Sequence, residues 1–206
     1  HDITDLAGRT IYSAGRGSTP QYALEYLLRE NGIDPETDVT IQWASEHAEC
    51  LAALQADPSI VCMLPQPFAT SALAKVEGAR IALDLTEVWD ETVAANGGDS
   101  QLITGVAVAR SAFASEPPAA VEELLDAYAA SVDFVNDDPS AAAQLIEAAD
   151  IVTAQVAERA IPYCNIVCMT GAEMAGALTG YLQTLYDADP ASVGGAMPGD
   201  DFCYGA

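Results

Sequence analysis

Lysine is almost missing from this chain. Of its 206 residues one is Lys, Lys75, and seven Lys and Arg in all face thirty-one Asp and Glu, a formal charge of −24 at pH 7. That balance excludes nucleic acid as a partner, because phosphate backbones are held by Lys and Arg that displace condensed counterions. Long apolar runs are also missing: none approaches the ~18 residues that a membrane-spanning helix requires. Cysteines number five, an odd count without a CxxC pair, so no zinc-type pattern is present and free, mostly buried thiols are expected. Histidine is scarcer still, with His47 the sole one beyond His1. Nucleophilic chemistry therefore has little to work with: Cys164 and Cys168 have no histidine downstream, and no triad, metal motif or cofactor loop can be assembled. The chain opens on His1-Asp2 rather than Met, as expected of a mature or shortened form.

What is present is a folding composition. Half the residues are apolar and no five like charges run together, so the acidity belongs to the surface of a folded protein and not to a disordered tail. Residues 1–110 hold six cations against sixteen acids, and residues 111–206 hold only Arg159 against fifteen. The length allows one large domain or two small ones.

The first half alternates short apolar runs with helical stretches. Thr10–Ser13 reads as a strand that passes through Gly15 and Gly17 into Ser18-Thr19-Pro20, a helix start with Pro in its first turn. Tyr22, Leu24, Tyr26, Leu27 and Leu28 ride on that helix until Asn31-Gly32 ends it. Val39–Trp43 is a second strand, followed by a helix capped by Ser45 and carrying Ala48, Leu51, Ala52 and Leu54. Ile60–Leu64 is apolar throughout, as for a strand covered on both faces, and Pro65-Gln66-Pro67 breaks it before a helix over Phe68–Lys75. Arg80–Leu85 is expected as a fourth strand and, after a polar loop over residues 90–101, Leu102–Ala109 as one more. Beyond Pro117-Pro118 the period turns helical for good, restarting at Asp138-Pro139-Ser140, near 153–160 and over 171–187, with a Gly, Pro and Asp punctuated tail from Asp189. The fold class is α/β with a mostly parallel sheet of right-handed βαβ units, followed by a helical C-terminal part.

In an open parallel sheet, ligands gather beyond the carboxyl ends of the strands. That rule selects Gly15–Thr19, Trp43 with Ser45-Glu46-His47, Gln66 and Thr86. The glycines Gly15 and Gly17 allow close backbone approach and the helix start offers free N–H groups, yet taken alone the segment reads first as a plain capped turn. Arg16 answers a carboxylate or phosphate with two parallel bonds or is simply solvated. His47 has two readings as well, ligand contact or ordinary surface or core histidine. Gln66, an amide between two prolines, can both donate and accept, which suits recognition better than catalysis, or else it is a solvated loop amide.

The segments Asp5–Tyr12, Gly17–Leu24 and Met63–Phe68 resemble solute-binding proteins of ABC importers, of the nitrate, sulfonate, taurine and thiamine-precursor type. Ala160–Ile166, Thr170–Met174 and Ser192–Gly195 through Asp200-Asp201-Phe202 are similar to the C-terminal part of a lipoprotein branch of that family. The resemblance implies a periplasmic-binding-protein-like (type II) lobe over residues 1–109, the second of two lobes that clamp a small solute. Residues 110–206 would be the helical part packing on it and toward a first lobe, and strand 102–109 the return connection. A lipid-bearing leader and that first lobe would precede, which makes this chain a fragment. Ser18, Thr19 and Gln66 correspond to ligand-facing positions, Thr104 and Gly105 less directly. With Gly17, Trp43, Glu46 and His47 from the strand-end rule, they form the expected solute contacts. The expected function is that of an extracytoplasmic component, at the cell surface or in the periplasm, that delivers solute to a permease transmembrane subunit. It would be a monomer without cofactor or metal, touching the membrane only through a lipid anchor outside this chain. Two rivals stand: an enzyme on the same fold, similar to pyrimidine synthases and using His47 or a cysteine, although the cysteine-rich motif of those enzymes is absent, and an interaction domain without ligand.

Overall fold

A computed structural model describes residues 1–98, 100–115, 118–199 and 201–205. Pro117 of the expected break, Asp99 of the polar loop and Asp200 of the tail motif lie outside them. Three strands, β1 (Thr10–Ala14), β2 (Thr40–Ala44) and β3 (Val61–Cys62), form a parallel sheet in the order β2-β1-β3. Between them run α1 (Thr19–Glu30) and α2 (His47–Ala56), and α3 (Phe68–Lys75) follows β3. The β1-to-β2 step moves one way across the sheet and the β2-to-β3 step moves back over β1, so right-handed crossovers put α1 and α2 on opposite faces. The α/β class and the parallel sheet are as expected.

The α1 face holds the main core. Leu24, Leu27 and Leu28 recur at helical spacing and are buried against Ile11 of β1, Ile33, Val39 and Ile3. Each such side chain contributes roughly 1.5–3 kcal/mol on burial. Helix α4 (Leu85–Ala95) adds Trp89, fully buried, its ring centroid 4.8 Å from that of Tyr26 and 5.5 Å from that of Tyr181. Trp89 Nε1–H donates to the Ser100 carbonyl at 3.1 Å, which satisfies the indole's polar edge inside the core. On the opposite face Cys50 and Leu51 of α2 are buried, and the Cys62 thiol donates to the Cys50 carbonyl at 3.5 Å. Cys50 takes the place that spacing had given to Ala48 and Ala52, which are exposed.

Two expected strands do not form. Residues 81–84 carry no ladder hydrogen bonds, and Leu85 already opens α4, because Asp84 Oδ1 accepts from the Thr86 N–H at 2.9 Å and caps the helix. Alternation over Arg80–Leu85 satisfied the local rule, but a strand also needs a neighbour to bond to, and β3 is only two residues long. Residues 102–109 likewise make no strand: Leu102 and Ile103 pack on the core, while Val106 and Val108 are 60% and 85% exposed.

The second half is helical as expected, with α5 (Ser111–Ser115), α6 (Pro118–Asp137), α7 (Pro139–Ala148), α8 (Ala154–Ala160) and α9 (Gly171–Ala188). Asp138 restarts the chain by accepting from the Ala141 N–H at 2.9 Å. Helix α8 packs on α7 and on α3, and α9 returns to α1, placing Tyr181 and Leu185 in the main core. Tyr22 Oη–H of α1 donates to Asp189 Oδ2 at 3.1 Å, just past the end of α9.

Two outcomes test this packing. Trp89→Ala should lower unfolding stability by about 3–5 kcal/mol in urea titrations, as for other large-to-small changes in cores. Alkali should destabilise the fold. Burial pushes the Cys62 thiol from 9.0 up to about 11 and raises the phenols of Tyr22, Tyr26 and Tyr181. A group whose folded pKa is raised stabilises the fold below its unfolded pKa and loses that contribution as pH climbs through the folded one. Denaturant midpoints should therefore hold to about pH 9 and fall toward pH 11, less steeply in Cys62→Ala.

Candidate functional site

Because the three strands are parallel neighbours, their carboxyl ends share one edge, and the segments after β1, β2 and β3 emerge there. After β1 the backbone turns through Gly15 at φ +88° and Gly17 at φ +75°. A Cβ on Gly15 would lie 2.8 Å from Pro20 Cγ and 3.0 Å from Ser18 Oγ, so the turn needs glycine for space as well as for conformation. Ser18 is the N-cap residue of α1 as expected, but its hydroxyl does not cap the helix. It donates instead to the Gly15 carbonyl at 2.7 Å, which leaves Ser18 Oγ an acceptor toward the edge. The Gly17 N–H donates to Gln21 Oε1 at 2.7 Å, and Gln21 Nε2 donates to Glu25 Oε1 at 2.6 Å. Gln21, which the sequence reading passed over, thus holds the glycine turn from the first turn of α1. Arg16, Gly17 and Ser18 are exposed and Thr19 is half-buried.

After β2 the helix cap is Glu46 rather than Ser45. The Ser45 N–H donates to Glu49 Oε2 at 3.0 Å, and the Glu46 carboxylate makes no capping bond. Trp43 lies half-buried one residue before the strand end, opposite Ser13 in register. His47, the first residue of α2, stacks on Phe68, the first residue of α3, with ring centroids 5.6 Å apart and planes tilted by 44°. The sequence reading gave Phe68 no contact role; its position directly after the Pro65-Gln66-Pro67 break was the available signal. His47 Nδ1 is buried with no hydrogen-bond partner among the described residues.

After β3, Gln66 Oε1 accepts from the Thr70 N–H at 3.2 Å and from Thr70 Oγ1–H at 2.8 Å. The side chain therefore ties down the first turn of α3, in place of a cap from Pro67, and keeps its Nε2 hydrogens free of protein partners among the described residues. Thr86 sits in α4 beneath Asn165, whose Nδ2–H donates to its hydroxyl at 3.2 Å. Thr104 and Gly105 lie on the exposed stretch that replaces the expected strand, so no strand end presents them.

All five cysteines are free, and burial raises the thiols of Cys50, Cys62 and Cys164, which makes those three poor nucleophiles. Among the described residues no cluster of three His, Cys, Asp or Glu is placed to hold a metal, and no helix is long and apolar enough to cross a membrane.

The architecture is that of ABC transporter solute-binding proteins. The structure of an ABC transporter from Parabacteroides distasonis superposes with a TM-score of 0.76 at 26% identity, covering 97% of this chain and 67% of that one. The alkanesulfonate-binding protein SsuA from Xanthomonas axonopodis pv. citri, bound to MOPS, shares the fold with a TM-score of 0.54 at 14% identity, over 93% of this chain and 60% of that one. The chain thus spans about two thirds of the first and three fifths of the second. Residues 8–151 match the NMT1-like family, and the chain belongs to that family. No curated protein matches it.

The glycine turn gives a direct test. Gly15→Ala should cost about 1–3 kcal/mol through strain and overlap with Pro20, read as a lowered thermal midpoint, whereas Gly17→Ala meets no atom and should cost about 1 kcal/mol from its backbone alone.

Proposed function

We propose that this chain is a solute-binding lobe of an ABC importer's extracytoplasmic component, which captures a small molecule at the sheet's carboxyl edge and hands it to the membrane permease. The carrying observation is the pairing of His47 and Phe68, from the segments after the two outer strands β2 and β3, at the edge where the glycine turn and an amide with free hydrogens also emerge. Stacked rings offer an apolar platform to a planar or compact solute. Gln66 Nε2 donates to it, Ser18 Oγ accepts from it, and Trp43 and Thr19 border the same edge. The exposed Arg16 and Glu46 add one charge of each sign. In this reading residues 1–109 form the lobe and residues 110–206 the helical part packed on it, with α9 built into the lobe's core. Thr104 and Gly105 are reached only when a second wall closes over the edge, and closure also supplies a partner for the buried His47 Nδ1. The raised thiols and the single usable histidine favour reversible binding over turnover.

Calorimetric titration with nitrate, alkylsulfonates and pyrimidine precursors tests the assignment. Gln66→Glu keeps the oxygen that holds Thr70 but removes the free amide hydrogens. It should weaken binding about tenfold or more with little change in thermal midpoint. Ser18→Ala should weaken it as well. Unchanged affinity in both variants overturns the site, and turnover of a bound compound that is lost in His47→Ala overturns the binding role.

A further inference from the structure

We propose a second ligand site, for an apolar carboxylate, at the seam where α8 meets α3; it does not rest on the function proposed above. Arg159, the only Lys or Arg of residues 111–206, opens onto a cavity of about 380 Å³ lined by Thr70, Leu73, Ala74 and Ile81 on one side and by Pro162 and Tyr163 on the other. That volume lies within the range of small-molecule pockets, roughly 300–1,000 Å³.

Three features of the seam fit one chemistry. Among the described residues Arg159 makes no ion pair or hydrogen bond, although acids outnumber bases by more than four to one. A carboxylate is the group its planar fork receives with two parallel N–H bonds. Leu73 and Ile81 are 43% and 46% exposed, and Ile81 is left so because the segment that carries it forms no strand. A hydrocarbon body would remove both from water. The Thr70 hydroxyl already spends its hydrogen on Gln66, so the floor presents no donor to a second anionic group, and the phenol of Tyr163 is the remaining one. One cation, one phenol and an apolar wall match a singly charged anion with an aryl or branched alkyl body. The chain's overall negative charge opposes such a ligand only weakly at physiological salt, where fields fade over ~8–10 Å. An occupant bridges α3 and α8, and so joins the helical half to the sheet.

Titration with naphthoate, followed by calorimetry and by thermal midpoint, decides the matter. Wild type should bind it saturably with a rise in midpoint, and the neutral naphthamide at least tenfold more weakly. Arg159→Gln, an exposed change, should remove that preference, Arg159→Lys should keep part of it, and Leu73→Asp should abolish binding. Trp43→Ala at the sheet edge should leave it intact. Absence of saturable binding, equal binding in Arg159→Gln, or loss in Trp43→Ala each overturns the proposal. Loss in Trp43→Ala alone places the probe at the sheet edge and leaves the proposed solute site standing.

Discussion

The burial of α1 against β1 and Trp89 is the contact on which the rest depends. Leu24, Leu27 and Leu28 fix the helix on the central strand, and that placement directs the start of α1 to the end of β1. The glycine turn, Ser18 and Gln21 therefore occupy the sheet's carboxyl edge as a consequence of packing on the far side of the helix. Tyr26 and Tyr181 flank Trp89, so α4 and α9 join the same core. A loosened indole would be felt at the site through α1 and not through any direct contact.

The acidic surplus has a structural use beyond solvation. Asp2, Asp84, Asp138 and Asp189 each accept a backbone N–H at a helix start, at 2.8–2.9 Å. Caps of this kind satisfy backbone donors that a helix start leaves open, and a negative charge there also complements the helix dipole. Ion pairs do far less: among the described residues they are Arg29–Glu25 at 2.8 Å and, when His1 is protonated, His1–Asp5 at 3.1 Å, each between residues four apart and at least partly in water. The chain thus places its carboxylates where backbone donors need them and scarcely uses cations for stability.

Local signals made most of the architecture legible. β-Branched alternation marked β1 and β2, Pro20 and Pro139 marked two helix starts, and the spacing of Val121, Leu124, Leu125, Tyr128, Val132 and Val135 marked α6. Arg80–Leu85 and Leu102–Ala109 misled because alternation describes a side-chain pattern, whereas a strand exists only when a neighbour completes its hydrogen bonds. The candidate edge was legible from topology alone, since strand ends in a parallel sheet converge. Its hydrogen bonding was not: Ser18 turning back to Gly15, Gln66 reaching Thr70 and Phe68 meeting His47 are decided by chain paths that spacing does not encode.

The return of α9 to α1 bears on how the polypeptide reaches its fold. Tyr22 and Asp189 are 167 residues apart in sequence, and Tyr181 and Leu185 complete a core whose other members begin at Ile3. Pairings so distant require chain ordering before they return any stabilisation, which slows assembly. During synthesis the leucine face of α1 stays partly open to water until α9 has emerged. Strong like charge along the nascent segment opposes contact between such incomplete molecules during that interval, so the acidic composition also works against aggregation.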